Sequence, residues 1–192
     1  MHDIEPFFRW REQYIASEDP QSPFMGQINS EFEYSDAIYN YMIHPQWDSC
    51  GSPTLFLKIL FVDYDRQFAL IELLGEWNDA VQNDIMSLKR EVVNILIETG
   101  ITQFIFFCEN LLNFHSGDDD YYQEWHEEIC ESDGWVAFLD TFDHVSEEMG
   151  DAIAQYVHFG AELNGIPWRE MKPEFVVDTV KKRVELAQKR LH

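Results

Sequence analysis

Basic residues are what this chain has least of. Thirteen Lys and Arg stand against thirty-six Asp and Glu in 192 residues, for a formal charge of −23. From Glu91 to Trp168 there is no Lys or Arg, yet seventeen Asp and Glu fall in that span, and seven of the thirteen basic residues lie at or after Arg169. A negative body with a basic C-terminal tail repels phosphate backbones and anionic lipid. Nucleic-acid binding and peripheral membrane binding are therefore set aside. A basic protein partner or a divalent cation fits the field better, and the plainer alternative is solubility alone.

Cysteine is scarce as well. Cys50, Cys108 and Cys130 are odd in number and far apart, so there is no disulfide framework and no CxxC motif. That usage fits a reducing cytoplasm. The opening "MHDIEPFFRW" lacks the basic start and apolar run of a signal peptide. The longest apolar runs, such as "LFLKILFV", are too short to span a bilayer. A glycine-rich phosphate loop is missing too: "GEWNDA" has one glycine, and its acids oppose phosphate.

Core material is plentiful, with 45% hydrophobic and 15% aromatic residues. A chain of this length folds as one unit with a sizeable core. Residues 1–53 read as an irregular, aromatic-rich N-terminal extension with short helical pieces, and 54–192 as an α/β domain. "SEDPQSPFMG" breaks regular structure. "EYSDAIYNYMIHPQW" brings Tyr39, Tyr41, His44 and Trp47 together as candidates for a sheet face or a partner surface.

Leu55–Val62 and Phe68–Gly75 are apolar runs around "DYDR", which predicts a β-hairpin. Asn78 is the expected N-cap of a helix whose stripe is Val81, Ile85, Leu88, Val92 and Ile95, closed by Gly100. "TQFIFFCE" and "GWVAFLDT" are apolar enough for strands buried on both faces. "SEEMGDAIAQYVHFG" predicts a helix with Met149, Ile153, Tyr156 and Val157 inward and Gly160 as its stop. Pro173 is the expected N1 of a last helix with Val176, Val180, Val184, Ala187 and Leu191 on one stripe. Strands alternating with helices imply a mixed α/β sheet of about four to five strands with parallel central members and helices packed on it.

The acidic stretch "NFHSGDDDYYQEWHEEICESDGW" holds two histidines, one cysteine and eight carboxylates. A helix from near Asp118 or Asp119 to near Ser132 puts Tyr122, Trp125 and Ile129 on the core side. Asp120, Glu124, Glu127 and Glu131 then face water. A flanking stripe carries Asp119, Gln123, His126 and Cys130. His126 and Cys130 lie one turn apart, a chelating spacing, so Asp119, His126 and Cys130 are candidate ligands of a divalent metal, and no other cofactor motif is present. With His115 the same groups define an alternative function, a metal-dependent or hydrolytic enzyme. A second nucleophilic reading takes His44, Asp48 and Cys50, but acidic surroundings oppose thiolate formation.

From about Thr54 to about Gly160 the order of elements resembles the STAS fold of anti-sigma-factor antagonists. "FALIELLGEWN" looks like that family's second strand, and "TQFIFFCENLLNFHSG" like its central strand running into a Ser-Gly turn. The resemblance implies that Ser116, before Gly117, sits where the family carries its phosphorylated residue. The chain departs from the family in lacking the Asp before that serine and in following it with Asp118, Asp119 and Asp120. "YNYMIHPQWDS" and "LLGEWNDAVQNDIMSLKRE" also resemble a bacterial family to which no activity is assigned. The element order, the lack of a complete catalytic constellation and the aromatic N-terminal segment together predict a non-enzymatic STAS-like regulatory module that binds a protein partner, a basic one by the charge balance or a second copy as a homodimer.

Overall fold

The computed structural model describes residues 4–190. Its centre is a five-stranded sheet in the order β3-β4-β5-β6-β7, formed by Asp48–Ser49, Leu55–Asp63, Phe68–Asn78, Gln103–His115 and Trp135–Leu139. The first two junctions are antiparallel and the last two parallel. This is the mixed α/β sheet with parallel central strands that the sequence predicts. A separate small hairpin joins β1 (Ala37–Ile38) to β2 (Tyr41–Met42). No helix among the described residues is long and apolar enough to cross a membrane.

Because side chains alternate along a strand, each central strand serves two cores. On the first face Ile71, Leu73, Phe104, Phe106 and Phe138 meet a layer of helices. These are α1 (Asp84–Leu88), a π-helical turn Lys89–Val93, α2 (Asn94–Glu98), α3 (Asp120–Cys130) and α4 (Asp143–Ala152). Trp125 stands edge-on to Phe104 at 5.1 Å and to Phe106 at 5.9 Å. Burial of aromatics of this size dominates core energetics. The orientation expected for α3 holds, since Tyr122, Trp125 and Ile129 are buried and Asp120, Glu124, Glu127 and Glu131 are exposed.

On the second face Leu60, Phe68, Leu70, Ile105 and Phe107 meet α5 (Pro173–Arg190) through Val176, Val180 and Val184. Leu191 of the predicted stripe lies outside the described residues, as does the side chain of Ala187. Trp168, from the short 3-10 turn Trp168–Glu170, stacks on Phe107 with ring centroids 3.8 Å apart. The N-terminal segment packs here as well, through Trp10. Ala16, Phe24 and Cys50 join the first-face core, and β3 extends the sheet. Among the described residues before β4 there are turns and short strands but no helix, in place of the short helical pieces expected there. Asp19 and Pro20 tighten the chain into turns bound to Tyr14 and Tyr64.

Three boundaries differ from the sequence reading. The helix expected after Asn78 starts at Asp84. Asn78 instead ends β5, and its Oδ1 accepts the Val81 N–H at 3.1 Å in a turn that leaves Val81 76% exposed. Two carboxylates close that turn: Asp84 Oδ2 accepts the Asn78 N–H at 2.7 Å, and Asp79 Oδ1 accepts the Ile85 N–H at 2.8 Å. Strand β6 runs on to His115 through two irregularities in its register with β5. Helix α4 stops at Ala152. The chain beyond it is extended at His158, whose backbone exchanges hydrogen bonds with Val136 and Phe138. That contact covers part of the β7 edge, which would otherwise offer free donors and acceptors.

Candidate interaction surface

The second face is divided. One end lies under α5, and the other under the β1–β2 hairpin. At the hairpin end Ile38, Ile43, Trp47, Phe56 and Leu74 form a small core. Trp47 Nε1 donates to the Ile4 carbonyl at 2.7 Å, so the first described residue is pinned beside it. The hairpin comes close because Gly75 has no side chain. A Cβ there would lie 2.1 Å from the Thr54 carbonyl oxygen and 2.5 Å from Ile38 Cδ1, and its φ of 109° disfavours any other residue. Between hairpin and strands runs an apolar groove of about 260 Å³, lined by Ile4, Ile38, Tyr41, Leu74 and Leu112 among others. Tyr39, Tyr41 and Leu112 are exposed around it.

Glu76 fixes the rim. Its Oε1 accepts from the Tyr39 hydroxyl at 2.7 Å and from Asn113 Nδ2 at 2.6 Å. The hydrogen bond to this carboxylate holds the Tyr39 phenol above its usual range. Tyr39 therefore turns an aromatic ring outward at a backbone φ of 54°, with its hydroxyl tethered.

In the middle of the second face sits a charge cluster. Glu72, within the buried run of strand β5, accepts the Phe7 N–H at 2.8 Å and an Arg169 N–H at 3.1 Å. Arg169 also pairs closely with Glu109, and its guanidinium lies 4.3 Å from the Trp168 ring centroid. Trp168 Nε1 donates to Glu109 at 3.1 Å. Burial pushes the Glu72 carboxyl up to about 7 against the opposing pull of Phe7 N–H and Arg169. One carboxylate thus ties the N-terminal strap and the C-terminal segment to the same strand. On the first face, burial likewise raises Asp79 to about 6, although Tyr122, Ile85 and Trp77 all donate to it.

The residues singled out from the sequence fall in separate places. Tyr41, His44 and Trp47 adjoin the groove, with Tyr39 on its rim. Ser116 is half-buried at the end of β6, and its hydroxyl lies 3.3 Å from Glu148 Oε1, an acid neighbour from α4. Asp119 accepts from the Tyr156 hydroxyl at 2.9 Å and from Gln155 at 3.3 Å. His126 lies against the Tyr156 ring, and Cys130 is exposed with its thiol toward the Glu127 carbonyl. His115 is exposed at the other end of the approach to α3. Among the described residues no group of three or more His, Cys, Asp and Glu is placed to hold a metal ion. His44 is paired with Glu5 at 3.6 Å, and Asp48 with Lys58 at 3.0 Å. Burial raises the Cys50 thiol to about 11. The three do not form a nucleophile–base pair.

The sequence reading missed Glu72, Glu109 and Arg169. A signal was available: Glu72 is a single charge inside "FALIELLG", and Arg169 is the first cation after the long basic gap. A lone charge within an apolar strand needs a partner.

No family model and no curated protein sequence matches the chain. Among solved structures, the unphosphorylated anti-sigma factor antagonist SpoIIAA aligns at 14% identity over 66% of this chain and 96% of its own, with a TM-score of 0.46. The phosphorylated form of the Bacillus cell fate determinant SpoIIAA aligns at 14% identity over 65% and 98%, with a TM-score of 0.41. A proposed anti-sigma factor antagonist from Thermotoga maritima aligns at 13% identity over 60% and 89%, with a TM-score of 0.38. The roles of residues rest on this chain's own geometry.

Proposed function

We propose that this chain is a regulatory protein-interaction module that acts by binding rather than by catalysis, and that its binding surface is the hairpin end of the second sheet face. The observation that carries this reading is the apolar groove bounded by Tyr41 and Leu112, with Tyr39 turned outward on its rim. Exposed aromatics around a concave apolar patch are the anchors that interfaces use. The partner is a protein with a basic surface, because a field of −23 steers cations toward the groove. The setting is the cytoplasm, which suits three free cysteines.

A second copy of the chain would meet the repulsion of two like fields, so homodimers are expected only at raised salt. Light scattering at several protein and salt concentrations tests this directly. The function itself is tested with partners captured by the wild-type chain and by Tyr41→Ser/Leu112→Asp. The expected result is one basic partner held by the wild type, released by salt and lost from the double variant. Equal capture by both chains would overturn the assignment of the surface.

A further inference from the structure

A second cavity lies apart from the groove, between the N-terminal strap and β4, with a volume of about 190 Å³. Its apolar walls include Phe7, Phe24, Ile59 and Leu60, and its polar end is built from charged and carboxamide side chains. Asp48 is 2% exposed there. Its Oδ1 accepts from Asn29 at 2.6 Å and from Gln27 at 3.2 Å. Lys58 Nζ donates to Oδ1 at 3.2 Å and lies 3.0 Å from Oδ2, which it pairs by charge without a hydrogen bond. Carboxylate and ammonium therefore cancel.

Arg11 does not cancel. It gives one N–H to the neutral Gln46 Oε1 at 3.1 Å. Among the described residues no carboxylate lies within ion-pair distance of it. Some cations elsewhere are matched by acids, Arg66 by Asp178, Lys89 by Glu124 and Glu128, and Arg169 by Glu72 and Glu109; Arg11 is not among them. The lining of this cavity is thus one positive charge in excess, inside a chain of −23. The guanidinium keeps four of its five donors, in the fork geometry that matches a carboxylate. Arg11, Ile15 and Gln27 are exposed, so they form the mouth.

We propose that this cavity binds a small organic monocarboxylate, its carboxylate forked by Arg11 and its short apolar body against Phe7, Phe24, Ile59 and Leu60. The volume is room for about six waters at ~30 Å³ each, which suits an acid with a small branched or aromatic body. A doubly charged inorganic anion would leave the apolar walls uncovered and meet the repulsion of the chain. The site is independent of the protein-binding groove, although the same strap borders both: Phe7 and Arg11 line the cavity, and Ile4 lines the groove.

The test is calorimetric titration and thermal shift of the full chain with isovalerate, benzoate and phenylacetate, with phenylacetamide and inorganic phosphate as controls. At least one carboxylate is expected to bind saturably and raise the melting temperature. Phenylacetamide should bind at least roughly tenfold more weakly, as loss of a charge-assisted forked contact requires. Arg11→Gln should cost a similar factor. Arg11 is exposed and bonds only Gln46, so that variant is expected to keep the wild-type circular dichroism. Arg11→Lys should bind with intermediate strength. Absence of saturable binding up to about 50 mM, equal binding of the amide, or undiminished binding by Arg11→Gln would each overturn the proposal. Tyr41→Ser/Leu112→Asp should leave carboxylate binding intact, so this site and the groove can fail separately.

Discussion

The two faces of the sheet are held by different physics. The first is mostly apolar and mostly local. Its helices follow the strands they cover within a few tens of residues, and most of its contacts are rings and aliphatic chains, with Asp79 and Lys89 as its buried polar points. The second is closed by residues far apart in sequence, Phe7 to Glu72 across 65 positions and Glu72 to Arg169 across 97, and its centre is a buried charge cluster. Apolar packing makes the first face stable. The second is specific in register and conditional on protonation, which suits the face that carries the groove.

Substitutions separate the two most sharply where each is most densely packed. Trp125→Ala on the first face should cost the most, about 3–5 kcal/mol in urea unfolding, because the hole between Phe104 and Phe106 cannot collapse. Arg169→Met on the second face should cost about 2 kcal/mol at pH 8, less than a fully buried pair would, since Arg169 is 39% exposed. Unlike the first loss, this one should shrink at pH 5, where Glu72 takes up a proton. Glu72→Gln/Arg169→Met should recover part of it. A loss independent of pH would show that the cluster is held by packing alone.

The pH profile of the wild type sharpens the same contrast. Burial raises Glu72 from 4.5 to about 7 and Asp79 from 3.8 to about 6. Each folded state therefore binds a proton more tightly than the unfolded chain. The stability these groups add is fully present only below their unfolded values of 3.8 and 4.5, and it is lost as pH rises through about 6 for Asp79 and about 7 for Glu72. Glu72→Gln should flatten the fall between pH 5 and 7.5 by on the order of 1–2 kcal/mol, read from urea midpoints. An unchanged slope would remove Glu72 as its source. The smallest effect belongs to the rim: Tyr41→Ser and Leu112→Ser, both at exposed positions, should change stability by less than about 0.5 kcal/mol.

The first face was largely legible from the sequence. Tyr122, Trp125 and Ile129 repeat at helical spacing, and the hairpin from Leu55 to Gly75 declares itself by two apolar runs. Periodicity is a local property, and these elements are locally determined. On the second face α5 was legible, since Val176, Val180 and Val184 repeat at helical spacing, but the rest was not, because its determinants are pairings between distant residues. Glu109 and Asn110 look like the end of a strand until Arg169 and Trp168 supply partners for Glu109, and then β6 runs to His115. On the first face the same kind of pairing misleads at Asn78, which looks like a helix cap until Asp84 accepts its N–H. Tyr39, Tyr41, His44 and Trp47 were recognisable as an aromatic cluster. What turns them into a groove is Gly75, whose missing side chain admits Ile38. The acidic stretch supplied the most conspicuous candidates, His126 and Cys130, which the fold leaves on the flank of α3.

The most direct measurement is site-specific photo-crosslinking in the source cell, with the reactive group placed at Tyr41, Leu112 or Val81. All three positions are exposed and apolar, but only the first two line the groove. A common crosslinked protein at Tyr41 and Leu112, joined through a basic segment and absent at Val81, is the predicted result. The same protein captured equally at Val81, or captured there alone, would contradict an interaction surface on the second face.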